Sequence, residues 1–93
     1  MSVTLSDTLT LSPDAAFREI DREVVILDLA SGSYFGLNSV GSRAWVLMVD
    51  GKSLKDVHGV LAGEYDVASE QLERDLVAWA ERLVEKGLLR RAG

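Results

Sequence analysis

Ser31-Gly32-Ser33-Tyr34-Phe35-Gly36-Leu37-Asn38 is where the chain changes from one kind of structure to another. Ser31-Gly32 is a hairpin turn signal, because glycine reaches the positive φ that such turns demand. Ser33 to Leu37 is expected to be a short strand, with Tyr34 and Gly36 on one face and Phe35 and Leu37 on the other. Asn38 suits a helix N-cap, since its side chain can accept a backbone N–H two or three residues on. Upstream, Ala15 to Ile20 and Glu23 to Leu29 have the marks of strands, with Phe17 as the anchor of the first and Asp21-Arg22 as the turn. Val24 to Leu27 is a β-branched run with apolar residues of both parities, which predicts a central strand. The third strand, Ser33 to Leu37, is then an edge of an antiparallel meander.

Downstream the period becomes helical. Val40, Ala44, Leu47 and Met48 mark a first helix that Gly51 ends. Ser53-x-x-Asp56 resembles a capping box for a second helix, lined by Leu54, Val57 and Leu61 and stopping by Gly63. A third and longest helix is predicted from about Ala68 to Lys86, capped by Asp66 or Ser69, with a stripe of Leu72, Leu76, Ala80 and Leu83. Gly87 ends it, and Leu88-Leu89 then adds a short strand or packs on the core. Val3, Leu5, Leu9 and Leu11 share a parity that suggests a first extended segment. Ser12-Pro13-Asp14 separates this arm, residues 1–13, from the domain proper, 14–93. Three strands and then three helices make an α+β domain resembling a winged helix-turn-helix.

The composition limits the function. The 93 residues suit one domain, and 47% hydrophobic with 27% charged is the balance of a globular chain. No apolar run approaches the ~18 residues of a membrane span, and the N-terminus lacks the basic start of a signal peptide. Cysteine is absent, which removes disulfides, thiolate catalysis and thiolate metal sites. These features together predict a cytoplasmic protein. Ten basic against fifteen acidic residues give a net charge of −5, the wrong sign for holding a duplex.

No catalytic set stands out. His58 is the lone histidine and has no thiol to serve, so its expected role is structural. Glu81 and Glu85, near Arg82 and Lys86, have the spacing of a solvated helix face. No phosphate loop, metal set or cofactor motif is present, and the chain is expected not to be an enzyme. The features that point to binding are the edge strand and the third helix. Ser33 to Leu37 carries none of the Lys, Glu or Pro that normally blunts an edge, so it could accept a strand from another chain. The competing reading is that the N-terminal arm, its own or a neighbour's, covers that edge. On the third helix Asp75, Trp79 and Arg82 lie on the shoulder of the Leu72/Leu76/Leu83 seam, which suits an apolar groove with polar rims.

The pattern Gly32-x-Tyr34-Phe35-Gly36-Leu37-Asn38-x-x-Gly41-x-x-x-Trp45, with Tyr65-Asp66-Val67, Asp75 and the closing Leu83-x-x-x-Gly87-Leu88, resembles the coenzyme PQQ synthesis protein D family. The likeness runs from roughly Asp14 to Leu89. It implies a recognition element for ribosomally made, modified peptides, which binds the leader of a precursor as a strand added beside the third helix. Stand-alone members present the leader to a processing enzyme: a radical-SAM enzyme in PQQ synthesis, or a separate leader peptidase in lasso-peptide biosynthesis, the type this small acidic chain is closer to. On that reading Tyr34, Phe35, Gly36 and Leu37 form the pairing edge. Leu72, Leu76 and Trp79 give pockets, and Asp75 and Arg82 fix register. The expected partners are a precursor peptide and its processing enzyme, with no nucleic acid or membrane, and the chain a monomer or weak homodimer. The rival readings are a DNA-binding winged helix, which Glu70, Glu73 and Asp75 at the start of the third helix oppose, and a dimerisation module.

Overall fold

The computed structural model describes residues 3–92. In chain order the elements are β1 (Leu9–Leu11), β2 (Ala15–Ile20), β3 (Glu23–Asp28), β4 (Tyr34–Gly36), α1 (Ser39–Val49), α2 (Leu54–Glu64), α3 (Ser69–Glu85) and β5 (Leu89–Arg91). β2, β3 and β4 form an antiparallel sheet in that order, with β3 central. β1 pairs antiparallel with β5 in a separate two-stranded sheet. The fold is the expected α+β arrangement, a three-stranded sheet followed by three helices.

The local chemistry accounts for most of the boundaries. Asp21 and Arg22 both take positive φ, 52° and 70°, which matches the right-handed twist of a two-residue hairpin joining β2 to β3. Gly32 supplies the left-handed residue, φ 75°, in the turn from β3 to β4. Asn38 caps α1 by accepting the Gly41 N–H on its side-chain oxygen at 2.8 Å. Ser53 caps α2 in the same way through the Asp56 N–H at 3.2 Å. Gly51 and Gly87, φ 101° and 77°, follow the ends of α1 and α3. α3 departs from expectation: its N-cap is Ala68, which has no side chain to contribute, and neither Asp66 nor Ser69 caps it. The Ser69 carbonyl instead meets His58 Nε2 at 2.9 Å, tying the start of α3 to α2. Glu70 in the first turn complements the helix dipole.

One core joins both sheets to the helices. Val24 and Ile26 of β3 are fully buried, as are Trp45 and Met48 of α1, Leu54 and Val57 of α2, Ala80 of α3, and Leu9 and Leu88 beside the small sheet. Phe17 meets Trp45 edge to face, with ring centroids 5.6 Å apart. The arm is woven into this body. The Leu5 and Asp7 carbonyls accept the Lys55 and Leu54 N–H groups, two donors that the first turn of α2 cannot satisfy within the helix. Asp7 also meets Arg91 at 3.3 Å. The described part of the chain's own arm therefore lies on β5 and α2 and not on β4. Across the other helices, Arg43 of α1 and Glu64 of α2 form a two-pronged ion pair, 2.9 and 3.1 Å, and the guanidinium holds the Glu64 carboxyl below its ordinary pKa.

Candidate functional site

The free edge of β4 has a definite polarity, readable from its hydrogen bonds. Leu37 N–H donates to the Val24 carbonyl at 2.9 Å, and Asp28 N–H donates to the Ser33 carbonyl at 2.8 Å. In an antiparallel ladder, residues that exchange bonds with one neighbour alternate with residues that turn their groups to the other side. Ser33, Phe35 and Leu37 therefore face β3, and the N–H and C=O of Tyr34 and Gly36 face outward. The opposite edge of the sheet, β2, carries Arg18 and Glu19, the kind of charge that discourages strand addition. β4 carries none.

The side chains alternate as the sequence predicts. Phe35 pairs with Ile26, which is buried, so it faces the helices; Tyr34 pairs with Leu27 on the opposite face and is 71% exposed. Gly36 pairs with Val25, and a Cβ built on it would meet nothing within 4 Å, so the fold itself makes no steric demand for glycine there.

Beside this edge runs a groove of about 410 Å³. β4 and its exit contribute Gly36, Leu37 and Asn38, α1 contributes Val40, Gly41 and Ala44, and α2 contributes Leu61. α3 supplies the far wall with Leu72, Asp75, Leu76, Trp79 and Arg82. Of the nine residues singled out in the sequence, seven thus share one groove. Tyr34 and Phe35 lie outside it. Tyr34 is on the outer sheet face beside Ile20, Val25 and Leu27, and the Phe35 ring lies under Lys86 Nζ, 5.1 Å from its centroid.

The groove is apolar at its base and polar at its rim. Leu72 and Leu76 are buried and belong equally to the core, whereas Trp79 is half-buried with its indole edge toward Gly41. A methyl on Gly41 would crowd the Asn38 cap oxygen at 3.2 Å but meet Trp79 Nε1 at an ordinary 3.6 Å, so it is the cap of α1, not the approach of α3, that favours glycine here. On the rim, the Asp75 carboxylate accepts from the Gln71 amide at 2.9 Å. Arg82 and Asp75 are both exposed.

Sequence reasoning missed one positioning residue. Ser42, on α1 and almost wholly buried, accepts the Val24 N–H at 2.8 Å and donates to the Leu37 carbonyl at 3.2 Å. Its hydroxyl thus bridges one of the two bonds of the Val24–Leu37 pair, the other being made directly by the Leu37 N–H, and ties α1 to the end of β4 at the mouth of the groove.

His58 Nε2 meets the Ser69 carbonyl and hydroxyl, and among the described residues it hydrogen-bonds to no titratable side chain. Among the described residues no cluster of three or more potential metal ligands occurs, and no helix is long and apolar enough to cross a membrane.

Comparison with known proteins agrees with this architecture. No curated protein sequence matches the chain. Two solved structures are similar over nearly the full length of both partners. One is TbiB1 in complex with the TbiA(beta) leader peptide, 38% identical, TM-score 0.84, covering 90% of this chain and 98% of that one. The other is a lasso peptide synthetase B1 complexed with the leader peptide, 32% identical, TM-score 0.82, covering 89% and 98%. The family model for coenzyme PQQ synthesis protein D matches residues 23–89, from the central strand through the start of β5, and the chain belongs to that family.

Proposed function

We propose that the protein is a non-enzymatic adaptor that binds the leader region of a ribosomally made precursor peptide and presents it to a processing enzyme, the leader peptidase of a lasso-peptide pathway. The observation that carries this reading is the coincidence of two features at one place. The outward backbone groups of Tyr34 and Gly36 are free to pair a strand, and the apolar groove against α3 begins at that same Gly36. An added strand would place alternate side chains toward Leu72, Leu76 and Trp79, with its backbone satisfied by β4. The likeness to two proteins solved with leader peptides supports the same occupant. A leader that orders only on docking loses conformational entropy, so its affinity is modest for the area it buries.

Proline placed at the edge tests this directly. Gly36→Pro deletes an outward N–H that β3 does not use, and its neighbour Phe35 is already extended, so the fold tolerates it. Glu19→Pro does the same on the opposite edge, β2. Anisotropy titration with fluorophore-labelled TbiA(beta) leader peptide is expected to show saturable binding, weakened at least roughly tenfold by Gly36→Pro and by Trp79→Ala. Glu19→Pro is expected to leave it unchanged. Equal losses from both proline variants, or none from Gly36→Pro, would place the peptide elsewhere.

A further inference from the structure

The groove has an electrostatic direction that its apolar base does not set. Arg82 lies on its wall, and Lys86, the C-cap residue of α3, follows four residues later. Lys86 is drawn toward β4, its Nζ resting over the Phe35 ring at 5.1 Å from the centroid. One cation thus stands on the groove wall with Gly36 and Leu37, and the other over the ring of Phe35, the residue before them on β4. Neither makes an ion pair among the described residues, although acidic residues outnumber basic ones fifteen to ten. Like charges at this spacing repel, and the favourable field at a helix C-terminus offsets part of that. The field accounts for cations at this end of the helix, and the Phe35 ring accounts for where the Lys86 ammonium rests. At the other end of the groove the polarity reverses, with Asp75 and its single neutral partner Gln71.

We infer that this end of the groove recognises a carboxylate side chain, so that the peptide bound here carries an Asp or Glu beside Arg82 and Lys86; the inference rests on the leader-binding reading above. Asp75 and Arg82 are seven residues apart, about 10 Å along the helix. Groove-facing residues of a strand recur every ~6.7 Å. A carboxylate at one position and a cation or amide donor two or four residues away therefore span the two rims. The recognition is by hydrogen-bonded charge at a half-open rim, which discriminates between peptides more than it adds affinity.

The test crosses protein and peptide variants. The proteins are wild type, Arg82→Gln/Lys86→Gln and Gly36→Pro. The probes are labelled TbiA(beta) leader peptide and the same peptide with each Asp and Glu replaced, singly, by Asn or Gln. Gln is a good helix former and both positions are exposed, so the double variant keeps its fold, checked by circular dichroism. The expected result is a roughly tenfold loss when the double variant meets the unmodified peptide. One amide peptide should lose as much against wild type, and the double variant should bind that peptide no worse than wild type does. An undiminished affinity of the double variant, with Gly36→Pro still disruptive, overturns the carboxylate and leaves the leader groove standing. Equal weakening of every peptide also overturns it, since the two cations then act without a specific partner. Failure of wild type to bind any of these probes overturns the leader-binding reading and this inference together.

Discussion

The Ser42 hydroxyl occupies a place where a ladder hydrogen bond would otherwise close. It takes the Val24 N–H and gives its own proton to the Leu37 carbonyl, both beside a fully buried Val24. Ser42→Ala leaves a buried donor unsatisfied and is expected to cost about 1–3 kcal/mol. The alternative response is for β4 to close on β3, which would draw Leu37 away from the groove wall and weaken peptide binding. Urea denaturation with a leader-peptide titration measures both, and Ser42→Thr, which keeps the hydroxyl, should be milder in both. Wild-type stability and binding in Ser42→Ala would show the bridge to be incidental. In the sequence, Ser42 is one polar residue among several in a helix. The available signal was that Trp45 and Val49, three and seven residues on, extend an apolar face back to it.

Among the elements, those whose local chemistry was decisive were legible and those fixed by distant packing were not. Gly63, expected to stop the second helix, lies inside α2, which runs on to Glu64, whereas the central strand, the edge, Asn38 and Ser53 as caps and Gly51 and Gly87 after α1 and α3 could be read from neighbours within four residues. The cap of α3 could not, because Asp66 and Ser69 are equally competent locally, and packing of Ser69 against His58 selected neither. For the site, helical geometry alone gathered Leu72, Asp75, Leu76, Trp79 and Arg82. The contributions of Val40, Gly41, Ala44 and Leu61 were missed, since they depend on how three helices meet. The β2–β3 hairpin offers a test at this scale. Arg22 holds φ 70°, a conformation that costs a residue with a side chain about 1–2 kcal/mol. Arg22→Gly relieves it and favours the same two-residue turn, so it is expected to raise stability by ~1 kcal/mol, or about 4–8 °C in melting temperature for a domain of this size. An unchanged or lower melting temperature would mean that Arg22 makes a compensating contact with its surroundings.

At the scale of the whole molecule, the two sheets divide the work. The β2–β3–β4 sheet presents the edge and one wall of the groove, whereas β1 and β5, from the two ends of the domain, pair with each other to close the body. Leu9 is fully buried in that closure, the Thr8 carbonyl accepts the Ala92 N–H, and the Ser12 N–H donates to the Leu88 carbonyl. The arm thus stabilises the fold without touching the β4 edge, and stability and binding should separate by mutation. Leu9→Ala is expected to cost about 2–5 kcal/mol by leaving a cavity between β1 and the core. A domain of 93 residues has only ~5–14 kcal/mol in total, so the variant remains folded at low temperature but melts well below wild type. Below that melting point its affinity for leader peptide should match wild type. A chain begun at Ser12 is expected not to fold at all, because it orphans the first donors of α2 and uncovers Leu89 as well. Should Leu9→Ala lose affinity while still folded, β4 and the small sheet would be coupled through the helices, and the arm would belong to the binding machinery as well as to the scaffold.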